Sequence, residues 1–133
     1  MDTVWDPLRK KQVAATPEER VRQWFIVQLN QTFGVPMHMM RSEISLQGAA
    51  KTYRADIVVF SRNGKALAVV ECKKPDIPID TSVSDQALRY ASALGVKFLM
   101  LTNGKKTYIY VLEDGRFVAC DHIPSYEEMI CRQ

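Results

Sequence analysis

Two apolar runs on either side of an Asn-Gly dipeptide constrain the fold more than any other part of the chain. The runs cover residues 57–60 and 66–70, and Asn63-Gly64 lies between them. Asn-Gly between apolar runs is the strongest short-range signal for a β-hairpin. A two-residue turn there would place Val58 opposite Val69. The sequence therefore predicts a pair of buried antiparallel strands in the middle of the chain.

Charged side chains lie at the open end of this predicted hairpin. The same register places Phe60 opposite Leu67, and further from the turn it places Asp56 opposite Glu71. Like charges directly opposite each other destabilise a strand pair. Because side chains alternate along a strand, Lys73 would emerge on the face that carries both acids. A divalent cation bound by the carboxylates would explain this arrangement. The simpler alternative is that the charges mark where the strands leave the core.

Length and composition indicate one globular domain. The chain has 133 residues, of which 47% are hydrophobic and 25% charged, and its formal net charge is +3. This length suffices for one hydrophobic core, and the small positive charge permits a nucleic-acid partner without requiring one. No apolar run approaches the length of a membrane span, and the start lacks the pattern of a signal peptide. We therefore expect a cytoplasmic protein without a membrane partner.

The spacing of cysteine and histidine argues against a zinc site or a histidine-based catalytic site. Cys72, Cys120 and Cys131 are far apart and form no CxxC pair, which indicates reduced thiols. His38 and His122 are isolated in the sequence. Any metal is therefore expected on carboxylates.

Residues 1–15 are predicted to form an N-terminal arm, and residues 16–133 a single domain. The arm carries the basic run 9–11, which is either solvated or in contact with phosphate. Thr16 and Pro17 match the N-cap and first position of a helix, and Glu19 would complete a capping box. That role alone would explain Glu19, with a role near a metal as the competing explanation.

The rest of the chain predicts alternating strands and helices. Gly95 would cap the second helix. The strand–helix–strand connection from Val69 to Leu99, which contains that helix, would be a right-handed parallel crossover. The predicted elements are a helix from residue 17, a strand at 37–46, a turn at 47–50, the central hairpin, a loop at 76–83, a helix at 84–94, strands at 96–102, 106–112 and 116–120, and a helical segment at 125–130. The expected fold class is α/β (α+β), with a mixed central β-sheet flanked by helices in the order α-β-β-β-α-β plus a C-terminal hairpin.

Four short motifs fall in this order of elements. They are PEERVRQ at 17–23, RADIVV at 54–59, VECKKP at 70–75, and Gln86 with Tyr90, and LTNG at 101–104 follows them. Together they resemble the PD-(D/E)XK nuclease superfamily, and most of all the N-terminal nuclease domain of type I restriction enzyme R subunits. The likeness spans roughly residues 16–110 and implies a restriction-endonuclease-like core. Ala55-Asp56 stands where the superfamily has Pro-Asp.

The resemblance implies a role for each matching residue. Hard oxygen ligands suit Mg²⁺ or Mn²⁺, and Lys73 would act near the attacking water and the scissile phosphate. Glu19 matches the acid of the first helix and would orient a metal-bound water, with Glu18 as a poorer substitute. The implied metal ligands are Asp56, Glu71 and the backbone carbonyl of Cys72. The implied DNA-backbone contacts are Gln86, Tyr90, Lys74, Arg54 and Arg89.

The implied function is a metal-dependent DNA nuclease, with restriction-modification or helicase subunits as further partners. The sequence has no G-x-x-x-x-G-K-[ST] loop and no helicase motor. If the chain is complete, ATP-driven translocation must therefore come from a partner or be absent. Two alternatives remain: a nuclease fold that binds without cleaving, and a structure-selective junction resolvase, which usually works as a homodimer. No helix carries a pattern for reading bases, so the cleavage sequence is not predicted.

Overall fold

A computed structural model describes residues 2–48 and 51–132 of the chain. Met1 and Gln133, at the ends of the predicted arm and domain, and Ala49 and Ala50, in the predicted turn, lie outside the described residues. The described elements in chain order are β1 (Thr3–Asp6), β2 (Lys11–Ala14), α1 (Pro17–Gln31), a 3-10 turn (Met37–Met39), β3 (Met40–Gln47), β4 (Thr52–Phe60), β5 (Ala66–Cys72), α2 (Thr81–Leu94), β6 (Phe98–Thr102), β7 (Thr107–Glu113), β8 (Arg116–Ala119) and α3 (Tyr126–Cys131).

Strands β3 to β8 form one mixed sheet in sequence order, within the part of the chain that the structure describes. Among the described strands of this sheet, β5 and β6 alone pair in parallel, with Val69 beside Leu99, and the other neighbours are antiparallel. Helix α2 connects the two parallel strands. The predicted fold class, element order and parallel crossover are confirmed.

The two faces of the sheet carry different helices. One core cluster contains Phe25 and Ile26 of α1 and Met129 of α3, and the other contains Ala87 and Ala91 of α2. The sheet is therefore covered on both sides, as parallel strands require. No helix among the described residues is long and apolar enough to cross a membrane.

The central hairpin forms with a longer connection than predicted. Val58 pairs with Val69 as expected, but the register then shifts and Phe60 pairs with Ala66, so the predicted partner Leu67 is wrong. The connection is residues 61–65 rather than a two-residue turn. Side-chain oxygens explain the wider loop, because the N–H of Lys65 donates to the Ser61 hydroxyl over 3.2 Å and the Asn63 side chain accepts it as well.

The predicted arm is ordered as an antiparallel hairpin of β1 and β2. The N–H of Lys10 donates to the carbonyl of Asp6 over 2.7 Å to close its turn. The expectation of a solvated basic run is wrong for Arg9, which forms ion pairs with Asp6 and with Glu19 of α1. Whether 16–133 is a separate domain stays a prediction.

Two helix boundaries show how side-chain caps decide where a helix begins. The N–H of Glu19 donates to the Thr16 hydroxyl over 3.1 Å, which confirms the cap of α1. Helix α2 starts at Thr81 rather than at residue 84, because the carboxylate of Asp80 accepts the N–H of Val83 over 3.1 Å. Gly95, with φ +72°, ends α2 as predicted. Other element ends differ from expectation by a few residues.

The alternation of buried side chains reverses near Glu43 and Asp56. Ile57 belongs to the core under α1, whereas Ala55, two residues earlier on the same strand, belongs to the core under α2. Regular pleating would put both on one face. On β3, Glu43 has φ +50°, a left-handed conformation that is unusual for a side chain other than glycine. Ile44, the next residue, joins Ala55 on the α2 side. The local twist thus places both acids where the two faces meet.

Candidate functional site

A cavity of about 250 Å³ lies between the end of β5 and helix α2. It brings together five of the residues that the sequence singled out. Glu71 and Lys73, two positions apart at the strand end, lie on the same side as the buried Ala87 of α2. The described lining residues are Arg54, Glu71, Lys73, Val83, Gln86, Ala87, Tyr90 and Leu101.

Two helix residues form the far wall of the cavity. The amide of Gln86 donates to the hydroxyl of Tyr90 over 3.1 Å, so the two side chains lie together as their four-residue spacing predicts. The Tyr90 ring packs on Tyr53 of β4 with ring centroids 4.8 Å apart. The ammonium of Lys51 lies 5.2 Å from the Tyr53 ring centroid. This aromatic contact was not predicted, because it joins segments far apart in sequence.

Asp56 contacts the neighbouring strand β5 and helix α1. Its Oδ2 accepts the backbone N–H of Cys72 over 2.6 Å, and its Oδ1 lies 3.7 Å from Nη2 of Arg22 on α1. Asp56 is not among the described residues that line the cavity. The expectation that three charges share one face therefore holds for Glu71 and Lys73, while Asp56 turns toward α1.

Burial and neighbouring charges disfavour the ionised forms of Asp56 and Glu71. Burial raises the pKa of Asp56, and the Cys72 N–H, Arg22 and Lys73 oppose that rise. Burial first, and then the nearby Asp56 carboxylate, raise the pKa of Glu71 to about 7, against the opposing effect of Lys73. Near neutral pH Glu71 is therefore partly protonated, and a bound cation would displace that proton.

Arg22 is buried in the middle of a set of carboxylates. Its guanidinium is 3.6 Å from Glu19, 3.3 Å from Glu43 and 3.7 Å from Asp56. Only 5% of the residue is exposed, and its Nε and Nη1 have no hydrogen-bond partner among the described residues. The contacts are those of a buried ion pair without close hydrogen bonds.

Arg9 enters the same set from the N-terminal hairpin. It donates to Glu19 over 2.7 Å and lies 3.5 Å from Glu43. Glu43 in turn accepts from Arg54 over 2.8 Å. The other oxygen of Glu19 accepts from Gln23 over 3.0 Å. The carboxylate of Glu19 is therefore held by side chains rather than closing a capping box.

Sequence reasoning missed Arg9, Arg22 and Glu43. The sequence did contain one indication that Arg22 is buried. Arg22 shares a helix face with the buried Ile26 and Leu29, where an apolar residue is expected. A charge on such a stripe indicates a buried partner.

The remaining predicted residues lie around the edge of the site. Lys74 and Arg89 are exposed and are not among the described cavity-lining residues. Glu18 is exposed and close enough to contribute to the raised pKa of Glu71. The Cys72 thiol is buried, and burial raises its pKa well above the ordinary value.

The donor chemistry at this edge fits a hard divalent cation. Asp56 and Glu71 supply carboxylate oxygens, the ligands that such a cation prefers. Burial is the largest cause of the raised pKa of each carboxyl group. Within residues 2–48 and 51–132, no group of three or more His, Cys, Asp or Glu side chains is arranged to hold a metal. A cation would therefore depend on these two acids and on backbone or water oxygens.

The amino-acid sequence of the chain matches a known family. Residues 17–124, well over half of the chain, match the family described as type I restriction enzyme R protein N terminus. The chain belongs to this family. The resemblance to R subunits that the motifs indicated is thereby confirmed. No curated protein matches the chain.

Two solved structures share the fold. A fragment assigned as the HsdR subunit of a type I restriction enzyme from Vibrio vulnificus YJ016 is 22% identical with a TM-score of 0.65, over 86% of this chain. A protein assigned as a nuclease of DUF820 from Anabaena variabilis ATCC 29413 is 12% identical with a TM-score of 0.53, over 92% of this chain and 84% of that one. The chain spans only 25% of the Vibrio chain.

Proposed function

We propose that this chain is a metal-dependent nuclease domain that hydrolyses phosphodiester bonds in DNA, in the manner of the PD-(D/E)XK superfamily. The observation that carries the proposal is the position of Glu71. Burial, and after it the nearby Asp56 carboxylate, raise the pKa of Glu71 to about 7, and Glu71 shares a cavity with Lys73. Two acids on neighbouring strands and an ammonium beside them are the groups that phosphodiester hydrolysis needs.

Asp56, Glu71 and the backbone carbonyl of Cys72 are the proposed ligands for Mg²⁺ or Mn²⁺. When bound, the cation supplies a more acidic water and neutralises charge on the phosphate. The N–H of Cys72 fixes Asp56 through a 2.6 Å hydrogen bond, so the carboxylate is oriented before any ligand arrives. Preorganisation of this kind reduces the cost of binding.

Lys73 is the proposed partner of the reacting phosphate. Its side chain lines the cavity beside Glu71, and its charge opposes the rise in the pKa of both acids. An ammonium there would stabilise the negative charge that develops on the phosphoryl oxygens, or orient the attacking water.

Arg54, Gln86 and Tyr90 are the proposed contacts to the DNA backbone. All three line the cavity, and the Gln86–Tyr90 hydrogen bond fixes two of them relative to each other. The exposed Lys74 would extend the basic surface. Contacts to phosphate position the nucleic acid without reading its sequence.

Glu19 has a different proposed role from the one that the resemblance implied. Both its oxygens are engaged, by Arg9 at 2.7 Å and by Gln23 at 3.0 Å. We therefore propose Glu19 as a positioning residue that holds the arginines in place. The proposal also includes restriction-modification partner subunits and a cytoplasmic location, as expected for an R-subunit domain.

One observation favours a second candidate, a DNA-binding domain without catalysis. The two oxygens of Asp56 already face protein groups, the Cys72 N–H and Arg22. If these contacts keep a cation out, the cavity would bind DNA without cutting it.

Cleavage assays with supercoiled plasmid and single-stranded DNA separate the two candidates. The assays compare the wild-type chain with Glu71→Gln in Mg²⁺, in Mn²⁺ and in EDTA. We expect the wild type to cut only with a divalent cation and Glu71→Gln to be inactive while still binding DNA. Equal cutting by both proteins, or cutting in EDTA, would overturn the metal-dependent nuclease. DNA binding without cutting in any condition would favour the second candidate.

A further inference from the structure

We propose that Arg22 takes the place of a second divalent cation, so that the site binds a single metal ion. The inference rests on the proposed nuclease function and specifies its metal stoichiometry. The central observation is that one buried guanidinium lies among the carboxylates of Glu19, Glu43 and Asp56, which come from α1, β3 and β4.

The guanidinium occupies the space between the three acids, on the α1 side of Asp56. It is 3.7 Å from Asp56, on the side of that residue that faces α1 rather than the cavity. Glu19 and Glu43, at 3.6 and 3.3 Å, are the other acids around the guanidinium, and with Arg22 between them the three acids are not arranged to hold a metal among the described residues. A metal between these acids would displace Arg22, whose side chain is only 6% exposed.

Further basic groups cover the remaining oxygens of these acids. Arg9 donates to Glu19 over 2.7 Å, and Arg54 donates to Glu43 over 2.8 Å. Gln23 donates to the other oxygen of Glu19 over 3.0 Å. Glu19 and Glu43 are thus partnered by protein groups, whereas Glu71 faces the cavity.

The contacts of Arg22 are unusual for an arginine that serves stability alone. Buried guanidinium groups are normally hydrogen-bonded, because an unsatisfied donor keeps its full desolvation cost. Nε and Nη1 of Arg22 have no such partner among the described residues, although both approach carboxylates. This looser arrangement is that of a counter-ion held at a distance from several anions. Arg22 is therefore a positioning residue that acts through Asp56.

The test counts the Mn²⁺ ions bound by the folded chain, by calorimetry and by electron paramagnetic resonance. We expect one Mn²⁺ for the wild type and two for Arg22→Met, which leaves Glu19, Glu43 and Asp56 without their shared counter-charge. Arg22→Lys keeps the charge and should bind one. Arg20→Met, a substitution at an exposed arginine on the same helix, is the matched control and should also bind one.

The outcomes separate the inference about Arg22 from the proposed metal-dependent function. Two Mn²⁺ ions on the wild type would overturn the inference and leave the nuclease proposal standing, whether or not Arg22→Met folds. A folded Arg22→Met chain that binds only one ion would also overturn it. No Mn²⁺ on the wild type would instead remove the proposed metal-dependent function. One ion on the wild type together with two on Arg22→Met would establish Arg22 as the substitute.

Discussion

The backbone N–H of Cys72 donates to Oδ2 of Asp56 over 2.6 Å and so fixes that carboxylate beside the end of β5. The next residue back along β5 is Glu71, whose pKa rises to about 7 through burial and through Asp56. One hydrogen bond thus holds an acid close to another acid. Such an arrangement costs stability in the absence of a cation.

The pH dependence of stability should reveal this cost. In the folded chain the pKa of Glu71 is about 7, above its ordinary value of 4.5, so between these values the folded state binds more protons than the unfolded state. The free energy of unfolding without metal should therefore fall as pH rises from 4.5 to 7, by on the order of 1–3 kcal/mol. Urea unfolding of wild type and Glu71→Gln at pH 5, 6 and 8 measures it. Glu71→Gln should lose less stability over this range. Equal pH profiles for the two proteins would show that folding does not raise the pKa of Glu71.

Asp56→Ala should behave differently from Glu71→Gln. The substitution relieves the repulsion but leaves the Cys72 N–H and the buried Arg22 with fewer partners. Loss of a partner from buried polar groups costs about 1–3 kcal/mol each. We expect a lower melting temperature for Asp56→Ala and an unchanged or higher one for Glu71→Gln, both without metal at pH 8. A stabilised Asp56→Ala chain would mean that repulsion outweighs both contacts.

Local sequence patterns predict the residues of the cavity but not the network of arginines around Asp56. Glu71, Lys73, Gln86 and Tyr90 follow from local rules, because strand alternation and helical spacing fix which side chains share a face. Asp56 was found, but its direction was not, since the reversal at Glu43 depends on a left-handed residue in mid-strand. No local pattern indicates such a residue.

Arg9 shows the same limit over a longer distance. A basic run in a chain terminus is usually solvated, and its contact with Glu19 exists only because residues 3–14 fold into a hairpin against α1. Such tertiary contacts depend on the assembled fold. The two-residue turn predicted at Asn63-Gly64 is wrong for a local reason. Side-chain oxygens of Ser61 and Asn63 stabilise a wider loop.

Metal binding should be coupled to proton release. The proposed ligands must be ionised to bind a cation, and Glu71 is half protonated near pH 7. The rise in melting temperature on adding Mn²⁺ should therefore be larger at pH 8 than at pH 6. Calorimetry in two buffers of different ionisation enthalpy measures the protons released. Equal stabilisation at both pH values would show that Glu71 does not ligate the ion.

The N-terminal hairpin should stabilise the site through Arg9. Asp6 is fully buried and forms an ion pair with Arg9, so Arg9→Met leaves a buried carboxylate without its partner. We expect a loss of about 2–3 kcal/mol in unfolding free energy, since Arg9 is itself partly exposed. Lys10→Met, at the exposed neighbouring position, is the control and should change little. Asp6→Asn combined with Arg9→Met should recover part of the loss, and purely additive effects would argue against a direct pair.

Arg54 should contribute to DNA affinity through charge. It lines the cavity and 66% of its side chain is exposed, so it can reach phosphate while pairing with Glu43. Arg54→Gln should weaken binding of all DNA sequences alike and reduce the slope of log affinity against log salt by about one. Fluorescence anisotropy over a salt series measures this slope. An unchanged slope would place Arg54 outside the DNA contact.

The comparison of Lys73→Ala with Lys74→Ala tests the proposed active site most directly. The two lysines are adjacent in sequence, but only Lys73 is among the described residues lining the cavity with Glu71. In plasmid cleavage with Mn²⁺, Lys73→Ala should lose activity by at least about a hundredfold, as for loss of a group acting on the transition state. Lys74→Ala should keep its maximal rate and lose only DNA affinity. Cleavage by Lys73→Ala at the wild-type rate would contradict the assignment of this cavity as a nuclease site.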